Sequence, residues 1–364
     1  MRLPLVVVLA LVALASSGAA QAAPGLRVGI DDDTVKWLRK PDALVAIDRD
    51  LGVDAVRVAI PWRRGRTRPT KVVGTYLHRV ALMMKLGQPV VLAVYGRPEY
   101  APVDARGRAQ YCGFLAHVAA RLPVRELVIW NEANNPRFWP RSTGAEGYEA
   151  LLARCWDDLH RLHRRVRVIS STAARYDALG FVAGVARAYR ASGRTRPIVD
   201  IFGHNPYPEH SAEAPSTRHE STVVGQGDLD RLLTTLSWGF AGTAQPVPGP
   251  DCPRLWYLED GFQSAVPAAK RRSYAGRETD LFALPFGTDA ALDQGRQLHD
   301  ALVLAYCQPA VGAFFNFELR DQHRLSGWQS GLLWSDGTRK PSYETFKATL
   351  RELRAHDVDC AGIS

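Results

Sequence analysis

The chain has 364 residues, 46% of them hydrophobic, with 9 Trp and a formal net charge of +9. That composition excludes a disordered protein and allows a large core, enough for one α/β barrel or two ordinary domains. The positive charge is almost all Arg, and the clusters Arg63-Arg64-Gly65-Arg66 and His163-Arg164-Arg165-Val166-Arg167 come without any nucleic-acid module signature; they read as solvated surface, and no nucleic-acid partner is expected.

In chain order, the first feature is an export signal over residues 1–22. Arg2 supplies the positive start, Leu3 to Ala15 is an apolar run, and Ala20-Gln21-Ala22 offers a small-residue cleavage site. The run is too short to span a bilayer comfortably, and no Cys lies nearby to accept a lipid. The mature chain is expected to be soluble, secreted and extracytoplasmic, with no stable membrane anchor.

Short apolar runs then alternate with longer segments of helical period. The expected strands are Arg27–Ile30, Ala55–Ile60, Val90–Tyr95, Glu126–Trp130, Val166–Ser171, Ile198–Phe202, Leu255–Leu258 and Gly312–Phe317. The expected helices are Asp42–Leu51, Tyr76–Leu86, Ala109–Leu122, Tyr148–His163, Ala178–Ala191, Asp228–Leu236, Ala290–Tyr306 and Tyr343–Ala355. Apolar residues in the fourth of these helices, such as Leu151, Leu152, Cys155, Trp156 and Leu159, recur at three and four. This repeated alternation predicts an α/β fold, a single-domain (β/α)8 TIM barrel over residues 23–364. A doubly wound dinucleotide fold is disfavoured, because Asp31-Asp32-Asp33 stands where the glycine-rich turn would be.

The cysteines are Cys112, Cys155, Cys252, Cys307 and Cys360, in no pattern that would hold zinc. An exported chain permits disulfides. Cys112 with Cys155 and Cys252 with Cys307 are the expected pairs, leaving Cys360 over; the alternative is that most are reduced and buried.

Two strings carry the chemistry. VIWNEANN puts Asn131 and Glu132, and LWYLEDG puts Glu259, where an apolar run gives way to polar, turn-forming residues. That is how the carboxyl end of a buried parallel strand reads. A lone Glu there is commonly a cap partner or an ion-paired surface group. Two at the ends of the fourth and seventh strands of a barrel fall on the face where barrel active sites lie, and paired acids suit general-acid and nucleophile roles.

On these residues the chain resembles clan A of the glycoside hydrolases, with the nearest look to families 39 and 5. The resemblance runs from Leu26 to about Leu353 and rests on VIWNEANNPRFW, HNPYP and GLLWSDGTRKPSYETF. It implies that Glu132 is the acid/base and Glu259 the nucleophile of a retaining reaction, which needs carboxyl groups about 5 to 5.5 Å apart. Glu132 is expected to hold a proton because ionised Glu259 lies beside it. The resemblance further implies that Asn131 binds the sugar 2-hydroxyl and that Arg57, in AVRVAIPW, sits beside the nucleophile. His204, Asn205 and Tyr207 fall where the clan carries a His and a Tyr, and spacing does not settle which points inward.

The chain departs from the pattern in places. Many clan members carry Trp at the end of the eighth strand as the floor of the sugar site, whereas this chain reads AFFNFELRDQ. Trp328, in the following loop, is the candidate substitute. Leu258 precedes the nucleophile where Thr or Ser is common, Asp260 follows it, and Ala133 replaces Pro after Glu132.

The resulting expectation is a secreted retaining glycoside hydrolase acting on a β-linked oligo- or polysaccharide. Its partner is the carbohydrate substrate, with no cofactor, no metal and a monomeric chain. The alternative is a non-catalytic carbohydrate-binding or envelope-associated barrel, since fold alone does not fix function.

Overall fold

The computed structural model describes residue 23 and residues 25–211, 213–277, 293–361 and 363. The expected export signal lies outside the described residues, as does the expected helix start at Ala290.

The strands are β1 (Arg27–Asp31), β2 (Ala55–Pro61), β3 (Val90–Tyr95), β4 (Glu126–Ile129), β5 (Arg167–Ile169), β6 (Thr172–Ala173), β7 (Phe202–Asn205), β8 (Leu255–Asp260) and β9 (Val311–Phe317). All pair in parallel, in the order β5-β4-β3-β2-β1-β9-β8-β7-β6. β5 and β6 are two halves of one strand position, broken at Ser170-Ser171. The first half pairs with β4 and the second with β7, so the sheet closes on itself as a (β/α)8 barrel. The helices are α1 (Asp42–Leu51), α2 (Lys71–Lys85), α3 (Ala105–Ala119), α4 (Gly144–His160), α5 (Ala178–Ala191), α6 (Leu229–Phe240), α7 (Gln294–Tyr306) and α8 (Pro341–Ala355). No described helix is long and apolar enough to cross a membrane.

Strand side chains alternate in and out with period two. The inward set includes Ala55, Val91, Ala93, Val128, Trp256, Leu258, Ala313 and Phe315, which pack as one core inside the ring. Continuing that face two residues at a time leads to Arg57 on β2, Tyr95 on β3 and Phe317 on β9. The alternation that fills the barrel floor therefore delivers these side chains to its carboxyl rim.

The structure moves several boundaries. α2 and α3 begin before the expected Tyr76 and Ala109, because Thr70 and Asp104 cap them by accepting from the Val73 and Gly107 amides. The sixth strand was expected at Ile198–Phe202, but β7 begins only at Phe202. Ile198 and Val199 are buried without being strand. Both their amides donate to Gln245 Oε1, at 2.8 and 3.2 Å, and Gln245 Nε2 donates to the Val199 carbonyl at 3.1 Å. A side-chain amide takes the place of a neighbouring strand, and hydrophobicity cannot distinguish the two.

One expected disulfide is present and one is not. Cys112 of α3 bonds Cys155 of α4. Cys307, at the end of α7, bonds Cys360 rather than Cys252, with Cα atoms 5.4 Å apart. Cys252 is a free thiol, held in a tight turn in which its amide and carbonyl both pair with Gly249. The expected pairing failed because α8 packs on α7 and returns the chain end to Cys307, a contact that sequence order does not reveal. Peptide mapping without reductant is expected to find Cys307 linked to Cys360 and Cys252 open to alkylation. Reduction of Cys112–Cys155, which closes a 43-residue separation, is expected to cost roughly 4 kcal/mol of stability on chain-entropy grounds, read from the urea midpoint of a C112A/C155A variant.

Candidate active site

At the carboxyl rim lies a cavity of about 360 Å³, lined by both Glu132 and Glu259 together with Asn131, Asn135, Tyr95, Phe138, Tyr207, Phe317, Glu318 and Trp328. The turn after β4 carries Glu132. Trp130 has φ 62° and Glu132 φ 41°, in the left-handed region that non-glycine residues rarely occupy. Two side-chain oxygens hold this backbone: the Trp130 amide donates to the Tyr111 hydroxyl and the Glu132 amide to Ser171 Oγ, both at 3.0 Å. The turn aims the Glu132 carboxyl into the cavity.

The two acids have opposite surroundings. Glu132 receives only neutral donors, from Asn135 Nδ2 to Oε2 at 2.6 Å and from Asn205 Nδ2 to Oε1 at 3.0 Å. Its carboxyl is pushed up to about 7, first by burial and then by the charge of Glu259. Burial, rather than the neighbouring carboxylate alone, thus leads the shift that the sequence assigned to Glu259. Glu259, by contrast, forms an ion pair through Oε1 with Arg57 Nη1 at 2.7 Å and accepts from the Tyr207 hydroxyl on Oε2 at 3.1 Å. The Tyr207 hydroxyl is itself pushed well above its ordinary value, by burial first and by Glu259 next, so it remains a donor.

Arg57 organises this wall. It is 1% exposed, its Cα is in register with Asp31 of β1, and its Nη1 is shared between Asp31 and Glu259. Its Nη2 donates to Asn131 Oδ1 at 2.8 Å. Asn131 is thereby fixed with its oxygen toward Arg57. The β8 register against β9 is irregular between Tyr257 and Asp260, at the point where simple alternation would turn Glu259 outward. Gly261 follows because a side chain there would collide with the Phe317 carbonyl.

The aromatic floor comes from Trp328, Tyr207 and Phe317. Trp328 and Tyr207 lie tilted with centroids 5.0 Å apart, and Phe317 meets Trp328 edge-on at 5.2 Å. The loop that carries Trp328 is anchored by a buried ion pair, Lys340 Nζ to Asp321 Oδ1 at 2.7 Å.

Of the sequence-derived residues, Glu132, Glu259, Asn131, Tyr207 and Trp328 line one cavity, and Arg57 and Asn205 stand behind it, bonded to Glu259, Asn131 and Glu132. His204 does not join them. Its ring points behind the barrel wall, with Nδ1 on Thr172 Oγ1 at 2.9 Å and Nε2 on the Val224 carbonyl at 2.8 Å. Burial lowers it to about 4, so it is a neutral core histidine that pins the loop after β7. Sequence reasoning missed Asn135, three residues after Glu132, and Asp31, the second partner of Arg57. Among the described residues, no group of three or more His, Cys, Asp or Glu could hold a metal ion.

No protein-family model matches the sequence, and no curated protein matches it significantly. Solved structures do match in shape. A glucosidase from Croceicoccus marinus superposes with TM-score 0.61 at 10% identity, covering 90% of this chain and 67% of that one. A GH5_18 protein from Streptomyces cattleya in complex with GlcNAc gives TM-score 0.59 at 14% identity, covering 92% and 81%. The GH53 catalytic domain of Ignisphaera aggregans gives 0.60 at 14% identity, covering 90% and 98%. At these identities the likeness is one of fold, and the chain is a (β/α)8 barrel of the shape these glycoside hydrolases share.

Proposed function

We propose that the protein is a retaining glycoside hydrolase acting on a β-linked oligo- or polysaccharide outside the cytoplasm. The observation that carries this reading is the division of labour between two carboxyls in one cavity. Glu132 sits among neutral donors with its carboxyl raised to about 7, and Glu259 is paired with a buried guanidinium. One acid suits proton donation and the other suits attack. The fold shared with glycosidases supports the reading, and the disulfides Cys112–Cys155 and Cys307–Cys360 support an oxidising compartment.

In this mechanism the Glu259 carboxylate attacks the anomeric carbon while Glu132 gives its proton to the leaving oxygen. The bond to the aglycone breaks and a glycosyl ester to Glu259 forms. Glu132, now ionised, takes a proton from water as that water attacks the anomeric carbon. The ester breaks, the sugar leaves as a hemiacetal, and both acids return to their starting state. Asn131, held through Oδ1 by Arg57, presents its amide N–H to the sugar 2-hydroxyl. Trp328 and Tyr207 give the ring a face to rest on. Release of reducing ends from a polysaccharide panel tests the reading; absence of turnover on every β-linked substrate in the panel refutes it and favours a binding barrel.

The pH dependence has a defined sign. Protonated Glu132 is the working form, so kcat/KM is expected to hold below pH 7 and to fall about tenfold per unit as pH rises past about 7. On an aryl glycoside with an activated leaving group, E132Q is expected to remove that alkaline limb. A limb unchanged in E132Q would assign it to another group.

A further inference from the structure

The cavity is unevenly charged. The whole chain carries +9, yet the arc that bears the nucleophile is acidic: Asp31, Asp33 and Glu318 line the cavity beside Glu259. They come from β1, from the turn after it, and from the end of β9, strands that neighbour one another and β8 in the ring. Two cations answer them. Arg57 is shared between Asp31 and Glu259, and Lys36 pairs with Asp33. Among the described residues, Glu318 has no such partner.

The Glu318 Oε1 accepts from Gln322 Nε2 at 2.8 Å, whereas Oε2 is buried and has no hydrogen-bond partner among the described residues. Leaving a buried oxygen unsatisfied is unfavourable, and a ligand group that pairs with it removes that cost on binding. Burial drives the Glu318 carboxyl well above its ordinary range, and the charges of Asp32, Asp31 and Asp33 add to the effect. Among the described residues Glu318 is thus left without a paired cation and with one hydrogen-bond position open. Beyond Glu132 the lining carries both signs, with Arg137, Arg175 and Glu209.

We propose that Glu318 is a specificity-determining residue for the sugar under attack, and that this sugar carries a free amino group whose ammonium pairs with the Glu318 carboxylate, the side chain turning to bring the buried Oε2 to the cavity it lines. The proposal rests on the glycosidase reading only in taking the cavity to hold a sugar. An ammonium answers both needs of the wall, supplying N–H donors for the bare oxygen and the charge that its neighbours lack. A hydroxyl supplies only the hydrogen bond. An N-acetyl group is neutral and larger, and it places a methyl against buried carboxyls. Pairing with the ammonium ionises Glu318, whose proton passes to solvent.

Binding to the full chain, measured by calorimetry, tests this without any need for turnover. The probes are oligosaccharides of glucosamine and of galactosamine, each beside its N-acetylated counterpart. The expected result is that an amino form binds about tenfold or more tighter than its acetylated form, and that E318Q shrinks the preference to below about threefold with the thermal midpoint unchanged. Enthalpies in buffers of different ionisation heat are expected to report release of about one proton on binding to the wild-type protein. Equal or weaker binding of both amino forms, a preference that survives in E318Q, or no proton release overturns the proposal. Turnover of neutral glycosides with no amine preference leaves the hydrolase standing and removes this inference alone; amine-selective binding with no turnover does the reverse.

Discussion

Replacement of Glu259 by Ala is expected to lower kcat on an aryl β-glycoside by at least about 10³-fold, and sodium azide is expected to restore turnover with a glycosyl azide of inverted configuration as product. In the proposed mechanism, truncation opens space on the face from which the Glu259 carboxylate attacks, and a small anion enters that space beside Arg57. Azide then displaces the aglycone once, so the configuration inverts once. Glu132→Ala behaves differently. It is expected to slow glycosides of poor leaving groups severely and activated ones far less, because its main task in the first step is protonation of the departing oxygen. Wild-type rates in E259A, or an azide product of retained configuration from it, would remove Glu259 from the role of nucleophile.

The second large effect is expected at Arg57. This side chain is 1% exposed and serves Asp31, Glu259 and Asn131 at once. Arg57→Ala leaves buried carboxylates without their counter-charge, and removing one partner of a buried pair costs about 3–5 kcal/mol. Denaturant unfolding should show that loss, and activity should fall with it because Glu259 and Asn131 both lose their anchor. Arg57→Lys separates the two contributions. An ammonium restores charge but cannot reproduce the fork that reaches acceptors on three strand ends. We therefore expect R57K to regain most of the stability while its kcat remains down about 10²-fold. An R57A protein with an unchanged unfolding midpoint would mean that the buried network holds neither the fold nor the nucleophile.

How much of this was legible in the sequence depends on the physical signal each residue leaves. Glu132 and Glu259 stood out because an acid at a buried strand end is costly without partners and the two ends fell on the same side of a barrel. Arg57 was found through the resemblance, and its place between Val56 and Val58 in the run of β2 fitted a buried side chain. His204 against Asn205 was a different question. It turned on the phase of a two-residue alternation, and that phase was hidden because β7 starts at Phe202 while the apolar run starts at Ile198. The amide of Gln245 supports the intervening residues, and nothing in hydrophobicity marks such a substitute. Asn135 lay inside the quoted string VIWNEANN, but its role depends on the left-handed turn at Trp130 and Glu132, which no residue type in the string demands. Glu318 was noted only as the residue standing near a missing Trp. Its bare oxygen and acidic neighbours appear only when β1 and β9, at opposite ends of the chain, pair side by side. The Cys307–Cys360 bond was missed for the same reason, since it joins segments that meet through helix packing rather than through order along the chain.

The stereochemistry of hydrolysis tests the central claim most directly. Proton NMR of the first product released from an aryl β-glycoside, recorded before mutarotation, is predicted to show the β-hemiacetal, because two displacements through Glu259 restore the starting configuration. The α-hemiacetal as first product would mean a single displacement by water, and the assignment of Glu259 as nucleophile would be wrong.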